Sequence, residues 1–262
     1  MKVAVCISGQ LRQWRMAKDN HKWFWTTFNF PELEVDYFIH TWSYSWDRPG
    51  ISHPYQERDV TEEEFLEFRE AYDAKKAIYD TKRQTHFFHN DHWSSLFYSL
   101  GQSLLLKRQY EIENDFQYDL VVKSRPDVVF SPDLHAKLPD GHTLIQDGRL
   151  YTTHGGTMPM EFYMNNFNDC VFFGNSYTMD LLPNLYFYRQ QLINDLYNEG
   201  YNIHPLGPGT LMHEFFRDYG ITPYFGLEWS ETLLKEGCPK VDLFDKDEFY
   251  KLQKYFRKWY TK

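Results

Sequence analysis

KVAVCISGQLR, residues 2–12, is the segment on which the fold turns. Lys2 to Ile7 is a short apolar and β-branched run, the pattern of a strand buried on both faces. Ser8-Gly9-Gln10-Leu11-Arg12 ends it, and an aromatic segment from Trp14 to Phe28 then takes up helical spacing. Strand, glycine turn and helix in that order open a βαβ unit. Further along, Glu34 to His40 reads as a second strand, carried by Val35, Tyr37, Phe38 and Ile39. Ser43 to Asp59, with Pro49, Gly50 and Pro54, reads as a long loop. Thr61-x-x-Glu64 is a capping box, after which Phe65, Phe68, Tyr72 and Tyr79 fall near one helical face. Trp93, Leu96, Phe97, Leu100 and Leu104 keep the helical period in a segment running to about Asn114.

Tyr118 to Val122 is the next buried strand, continuing through Lys123-Ser124-Arg125-Pro126-Asp127 into Val128-Val129-Phe130. Proline has no amide proton for a ladder, so Pro126 marks a strand end or an edge. Short strands are expected at Thr143 to Gln146, Arg149 to Thr152 and Cys170 to Phe173, with a glycine-containing loop at His154-Gly155-Gly156. Helices are expected from Thr178 to Asn198, from Pro208 to Tyr219 with Gly220 as its stop, and from Asp245 to Tyr260 behind an Asp245-x-x-Glu248 cap. The alternation predicts an α/β fold with a mostly parallel sheet flanked by helices. Ligands of such sheets sit outside the carboxyl ends of the strands. Three places are thereby selected: Ser8 to Arg12, His40 to Trp42, and Lys123 to Asp127.

The chain has 262 residues, which at about 150 per domain favours one large domain. Its 42% hydrophobic and 25% charged residues are ordinary for a chain with a real core. Aromatics are the exception, at 20 Tyr, 22 Phe and 8 Trp. Most must fill the core, and the remainder suit the mixed apolar and hydroxylated face of a sugar or the flat face of a base. A formal charge of −9 repels polyanions and argues against nucleic acid as a partner. Cys6, Cys170 and Cys238 are too few and too irregularly spaced for a disulfide framework. The run Val3 to Ile7 is too short for a signal-peptide core, and no stretch approaches the roughly 20 apolar residues that span a bilayer. A cytoplasmic protein is the expectation.

In extended backbone Lys123, Arg125 and Asp127 would share one face. Two cations and a carboxylate at a ligand-binding edge fit a nucleoside diphosphate, met by the cations directly or through a metal on the carboxylate. A structural Arg–Asp pair closing the strand explains the same residues equally well. Gly9 lets backbone approach a ligand, and the following helix start offers amides to a phosphate. Neither a G-x-G-x-x-G dinucleotide fingerprint nor a P-loop occurs. His86, His89 and His92 have one-face spacing beside Asp91, but an Asn- and Asp-rich helix start accounts for them better than a metal does. Asp169 and Glu214 each supply a carboxylate able to serve as general base toward an acceptor hydroxyl.

Several of these pieces together resemble one family: VAVCISGQLR, DYFIHTW, FYSLGQSLLLKRQYE leading into YDLVVKSRPDVVF, NDCVFFGNSYTMD and HEFFRDYGI, in that order over residues 1 to about 221. The chain resembles the WavE-like lipopolysaccharide-synthesis proteins and related bacterial and viral sequences, regarded as GT-A-type glycosyltransferases. The resemblance implies a GT-A-like, Rossmann-like single domain over 1–262. Residues 1–135 would form the nucleotide-sugar-binding half, and residues 136–262 the acceptor-side half with the C-terminal helices. It implies transfer of a hexosyl or pentosyl group from a nucleotide-sugar donor to a hydroxyl of a glycan or small acceptor, in polysaccharide biosynthesis. Gly9, Gln10 and Arg12 would lie against the nucleotide, and Tyr98, Ser99 and Lys107 would support the donor pocket. Lys123, Arg125 and Asp127 would stand at the diphosphate, with Asp169 and Glu214 on the acceptor side. The family's usual Asp-x-Asp is Arg125-Pro126-Asp127 here. A divalent cation, Mn²⁺ or Mg²⁺, would therefore have Asp127 alone, or Arg12, Lys123 and Arg125 would neutralise the leaving group without one. A non-catalytic carbohydrate- or nucleotide-binding protein of the same fold, and a nucleotidyltransferase, are the alternatives.

Overall fold

The computed structural model describes residues 1–26, 32–47, 56–81, 92–132, 148–152, 170–198, 208–221, 223–224 and 231–233, with 245, 247, 248 and 251. In chain order the first elements are β1 (Lys2–Gly9), α1 (Trp14–Thr26), β2 (Glu34–Trp42), β3 (Tyr44–Asp47), β4 (Gln56–Asp59), α2 (Glu62–Ala71), β5 (Lys76–Asp80) and α3 (His92–Asn114). There follow β6 (Leu120–Ser124), β7 (Val128–Phe130), β8 (Leu150–Thr152), β9 (Phe172–Gly174), α4 (Ser176–Met179), α5 (Asn184–Asn198), α6 (Pro208–Asp218), β10 (Pro223–Tyr224) and β11 (Glu231–Leu233). A 7-stranded sheet runs in the order β10-β8-β9-β6-β1-β2-β5. Its pairings are parallel except where β9 runs antiparallel to β6 and to β8. This is the mixed α/β architecture with a mainly parallel sheet that the alternation predicts.

β1 sits inside this sheet, and its strict period of two sends alternate side chains to two different cores. Val3, Val5 and Ile7 join Tyr37, Ile39, Leu120 and Val122 in one apolar cluster, together with Trp14, Phe24 and Trp25 of α1 and Phe65 and Phe68 of α2. Ala4 and Cys6 join Phe38 and Val121 in the other, with Phe97, Leu100 and Leu104 of α3, Leu185 of α5 and Phe215 of α6. Two helical layers therefore cover opposite faces of the sheet, which is why β1 carries no polar residue between Val3 and Ile7. Burial on the α3 side pushes the Cys6 thiol far above its ordinary pKa, so this cysteine behaves as a small core residue.

Several boundaries differ from the sequence reading. The ends of the Ser43 to Asp59 segment pair with each other, Tyr44 with Asp59 and Asp47 with Gln56, as the antiparallel β3–β4 arm. The capping box forms, with the Thr61 side chain accepting from the Glu64 amide at 3.1 Å. The helix behind it stops at Ala71, and Tyr79 belongs instead to the edge strand β5, where its ring stacks on Phe65 with centroids 5.0 Å apart. The helix expected over Thr178 to Asn198 is two, α4 and α5, because Pro183 cannot continue an amide ladder and the chain turns there, Asn184 N–H donating to the Leu181 carbonyl at 3.1 Å. β7 leaves the main sheet after Pro126 and pairs with β11. The strand expected at Thr143 to Gln146, the loop at His154-Gly155-Gly156 and most of the C-terminal helix lie outside the described residues. Asp245 does accept from the Glu248 amide at 2.9 Å, as its cap predicts.

A buried polar group on α1 makes the fold sensitive to acid. His21 is 1% exposed, and its Nε2 faces the Val128 carbonyl oxygen at 2.5 Å while Nδ1 faces the Tyr72 hydroxyl at 2.8 Å. A carbonyl only accepts, so Nε2 carries the proton and Tyr72 donates to Nδ1. Burial lowers the pKa to about 4 from an ordinary 6.5, against opposing pulls from the Val128 carbonyl and Asp127. The unfolded chain thus takes up a proton before the folded one does. The contribution of neutral His21 to stability is present above pH 6.5 and should be lost as pH falls toward 4, by about 2 kcal/mol between pH 7 and 5. Urea unfolding of His21→Gln, which keeps an N–H for Val128 but cannot titrate, should lose less over that interval than wild type; equal losses would refute the assignment.

Candidate active site

The carboxyl ends of four neighbouring strands align. Ile7 lies opposite Ser124, Gly9 opposite Thr41, and Trp42 opposite Asp80. β1, β2, β5 and β6 therefore deliver the first turn, the His40-Thr41-Trp42 exit, Asp80 and the Arg125-Pro126-Asp127 turn to one edge. Gly9 has φ +125, a conformation that L side chains rarely adopt, and an added Cβ would meet Pro126 Cδ at 3.9 Å. That distance is ordinary contact, so backbone conformation, not lack of space, calls for glycine. The same geometry sets the first turn directly against the Arg-Pro-Asp turn.

Each turn is held from within. Thr41 Oγ1 donates to the Gly9 carbonyl at 2.8 Å. Arg12 N–H donates to the Gln10 carbonyl at 2.8 Å, and its guanidinium bonds the Gln10 side-chain oxygen. Across the edge, Arg125 Nε and Nη2 donate to the two oxygens of Asp127 at 2.9 and 2.8 Å. This fork is the strong, geometrically specific form of an ion pair. Asp127 is 3% exposed, whereas the Arg125 side chain keeps 22%. The carboxylate thus anchors the guanidinium from below and leaves part of it toward solvent. β6 ends at Ser124, so the alternation expected from Lys123 to Asp127 stops there. Lys123 is buried and donates to the Cys170 carbonyl at 3.1 Å.

Beside these turns stands a second group. His40 is fully buried at the end of β2, with Nδ1 at 2.8 Å from Ser99 Oγ and Nε2 at 3.6 Å from Asp80 Oδ2. Tyr98 donates to the same Asp80 oxygen at 3.3 Å, and its ring lies 5.5 Å from that of Trp42. Burial lowers the His40 pKa, while Asp80 pulls the other way. Tyr98 and Ser99 of α3 therefore bond to side chains carried at the carboxyl ends of β5 and β2. Of their partners, His40 belongs to the strand exit selected from the sequence, whereas Asp80 is not singled out there. Asp80 was missed because its strand was read as part of a helical face.

Lys107 occupies a different environment. Its ammonium is fully buried and donates to Glu111 at 3.0 Å, to Asp180 at 2.6 Å and to the Ser176 hydroxyl. Its charge is matched by the carboxylates of Glu111 and Asp180. Glu214, on α6, keeps 12% side-chain exposure and pairs with Arg217. Asp169 lies outside the described residues, as do His86 and His89 and the side chain of His92. Among the described residues no cluster of three or more His, Cys, Asp or Glu has the arrangement of a metal site. Asp127 does not fit a divalent cation in this geometry, since one guanidinium spans both of its oxygens and sets a positive charge where the ion would bind.

Among the described residues no helix is long and apolar enough to cross a membrane. No protein-family model matches the chain, and no curated protein matches it. Among solved structures it is similar to the apo-form glycosyltransferase GlyE of Streptococcus pneumoniae TIGR4, with 15% identity and TM-score 0.39 over 86% of this chain and 45% of that one. It is also similar to a glycosyltransferase involved in glycosylation of the major capsid of PBCV-1, with 10% identity and TM-score 0.36 over 86% of this chain and 82% of the other. The chain spans less than half the length of the GlyE structure.

Proposed function

We propose that this chain is a glycosyltransferase that moves a sugar from a nucleoside-diphosphate donor to a hydroxyl of a glycan or small acceptor. The observation that carries the reading is the Arg125–Asp127 fork, set against the Gly9 turn at the carboxyl edge of the parallel sheet. In the reaction the bond from the anomeric carbon to the diphosphate oxygen breaks, and its electron pair leaves with the nucleoside diphosphate. A bond from the acceptor oxygen to that carbon forms, and the acceptor proton passes to a base. The charge developing on the diphosphate needs fixed positive groups, for which Arg125 is assigned, with Arg12 at the neighbouring turn. Asp169 is the first assignment for the base and Glu214 the second. No step is routed through a metal.

A thermal-shift screen against nucleotides and nucleotide sugars, with EDTA or with Mn²⁺, tests this. A ligand that binds only the native state at about 100 times its Kd adds about 2.7 kcal/mol of stability, so at least one nucleotide sugar should raise Tm in EDTA. No shift with any donor in either condition would sink the reading. A shift only with Mn²⁺ would reinstate the cation at Asp127. Binding without sugar release or transfer would leave a carbohydrate- or nucleotide-binding protein, and pyrophosphate release from a nucleoside triphosphate would point to a nucleotidyltransferase.

A further inference from the structure

β7 starts at the residue after Asp127, and its two edges are satisfied by different means. In an antiparallel strand the amide and carbonyl of alternate residues point to the same edge. Val129 pairs with Thr232 of β11 on one side. On the other side, side chains of α1 take the place of a neighbouring strand. Phe130 N–H donates to Asn20 Oδ1 at 2.7 Å, and Asn20 Nδ2 donates back to the Phe130 carbonyl at 3.1 Å. His21 Nε2 donates to the Val128 carbonyl at 2.5 Å, and Val128 N–H donates to the Arg125 carbonyl at 3.3 Å. Asn20 is fully buried, a position that is costly for a carboxamide unless its donor and acceptor are both met. The Phe130 backbone meets both. Phe24, one turn further along α1, stacks on the Phe130 ring with centroids 4.5 Å apart.

Residues 125–127 thus lie between two immobilised strands. β6 is held on one side by β1 and on the other by β9. β7 is held by β11 and by α1. We infer that Asn20 and His21 are positioning residues for the Arg125–Asp127 pair, acting through the β7 backbone to fix where the guanidinium stands at the sheet edge. The functional part of this inference rests on the proposed role of that pair at a diphosphate; the structural part does not.

The test follows the Arg125 Nε–H by NMR, assigned through its loss in Arg125→Lys, together with affinity for UDP, GDP, ADP and CDP. Asn20→Leu and His21→Phe should abolish the protected Nε–H signal and weaken nucleotide binding at least tenfold. His21→Gln, which restores an N–H for Val128, should keep both. Leu192→Ala, a cavity in the opposite core layer, serves as the stability control and should keep both despite a lowered unfolding midpoint. If Asn20→Leu does not fold, the contrast between His21→Phe and His21→Gln decides alone. An unchanged Nε–H signal in His21→Phe, or its equal loss in Leu192→Ala, overturns the inference. If wild type binds none of the four nucleotides, the proposed function fails on its own account while the Nε–H signal still decides the clasp.

Discussion

Lys107→Met should remove about 3–5 kcal/mol of stability, the range for breaking a buried ion pair by deleting one partner, while leaving nucleotide affinity within twofold of wild type. The ammonium is the centre of an interior network. Besides Lys107, Glu111 accepts the Tyr118 amide at 2.8 Å and the Ser176 hydroxyl at 2.8 Å. Burial pushes the Asp180 carboxyl up in pKa and Lys107 pulls it back. Without Lys107, the cation left beside the two carboxylates among the described residues is Arg108, 3.6 Å from Glu111 and 3.5 Å from Asp180. Lys107→Met/Glu111→Gln should recover at least about 1 kcal/mol, because the glutamine oxygen still accepts from Tyr118 and no second acid is stranded. Urea unfolding at pH 7 measures the stabilities, and titration with the best nucleotide measures affinity. A single variant that keeps its stability but binds nucleotide tenfold more weakly would return Lys107 to the donor pocket implied by the sequence resemblance.

The second large effect is expected at the strand exit. Arg125→Ala should lower kcat/KM by about a thousandfold, of the order seen on removing a group that stabilises developing charge, and should destabilise the fold by about 3 kcal/mol by leaving Asp127 buried without its fork. These losses have different causes, and a second substitution separates them. In Arg125→Ala/Asp127→Ala the stranded carboxylate is gone, so stability should return by about 1–2 kcal/mol while catalysis stays lost. The comparison requires the nucleotide sugar identified by thermal shift, with kcat/KM and the urea midpoint measured on the same preparations. Full kcat/KM in the double variant would show the fork to be a strand closure and nothing more.

The residues that were legible from sequence are those whose partners lie close along the chain. β1, α3 and the Thr61 cap each satisfy a local pattern, a short unbroken apolar run, period 3.6 or a hydroxyl three residues before an amide, and each appears where that pattern places it. The Arg125–Asp127 fork belongs with them, since its partners are two residues apart. β5, β10 and β11 are too short to show a period, and β5 continued an apolar spacing begun in α2. The break at Pro183 was present in the sequence as a proline and was overridden by the leucines around it. Long-range polar contacts were not legible at all. Glu111 stands four residues from Lys107 and is readable as a helical pair, but Asp180 is 73 residues away, and the backbone held by Asn20 is 110 residues distant. Nothing local in the sequence identifies which carboxylate or carbonyl will meet a buried cation or amide, because that depends on how the layers stack.

The ladder between β6 and β9 carries a mechanical implication. It joins strands from the first and second halves of the chain, Val121 to Gly174 and Lys123 to Phe172, into one hydrogen-bonded sheet. A jaw-like opening of one half against the other would have to shear that ladder and expose Val121 and Phe172, both fully enclosed. A disulfide stitched across that ladder should accordingly leave nucleotide affinity unchanged, since it locks strands that the sheet already holds together.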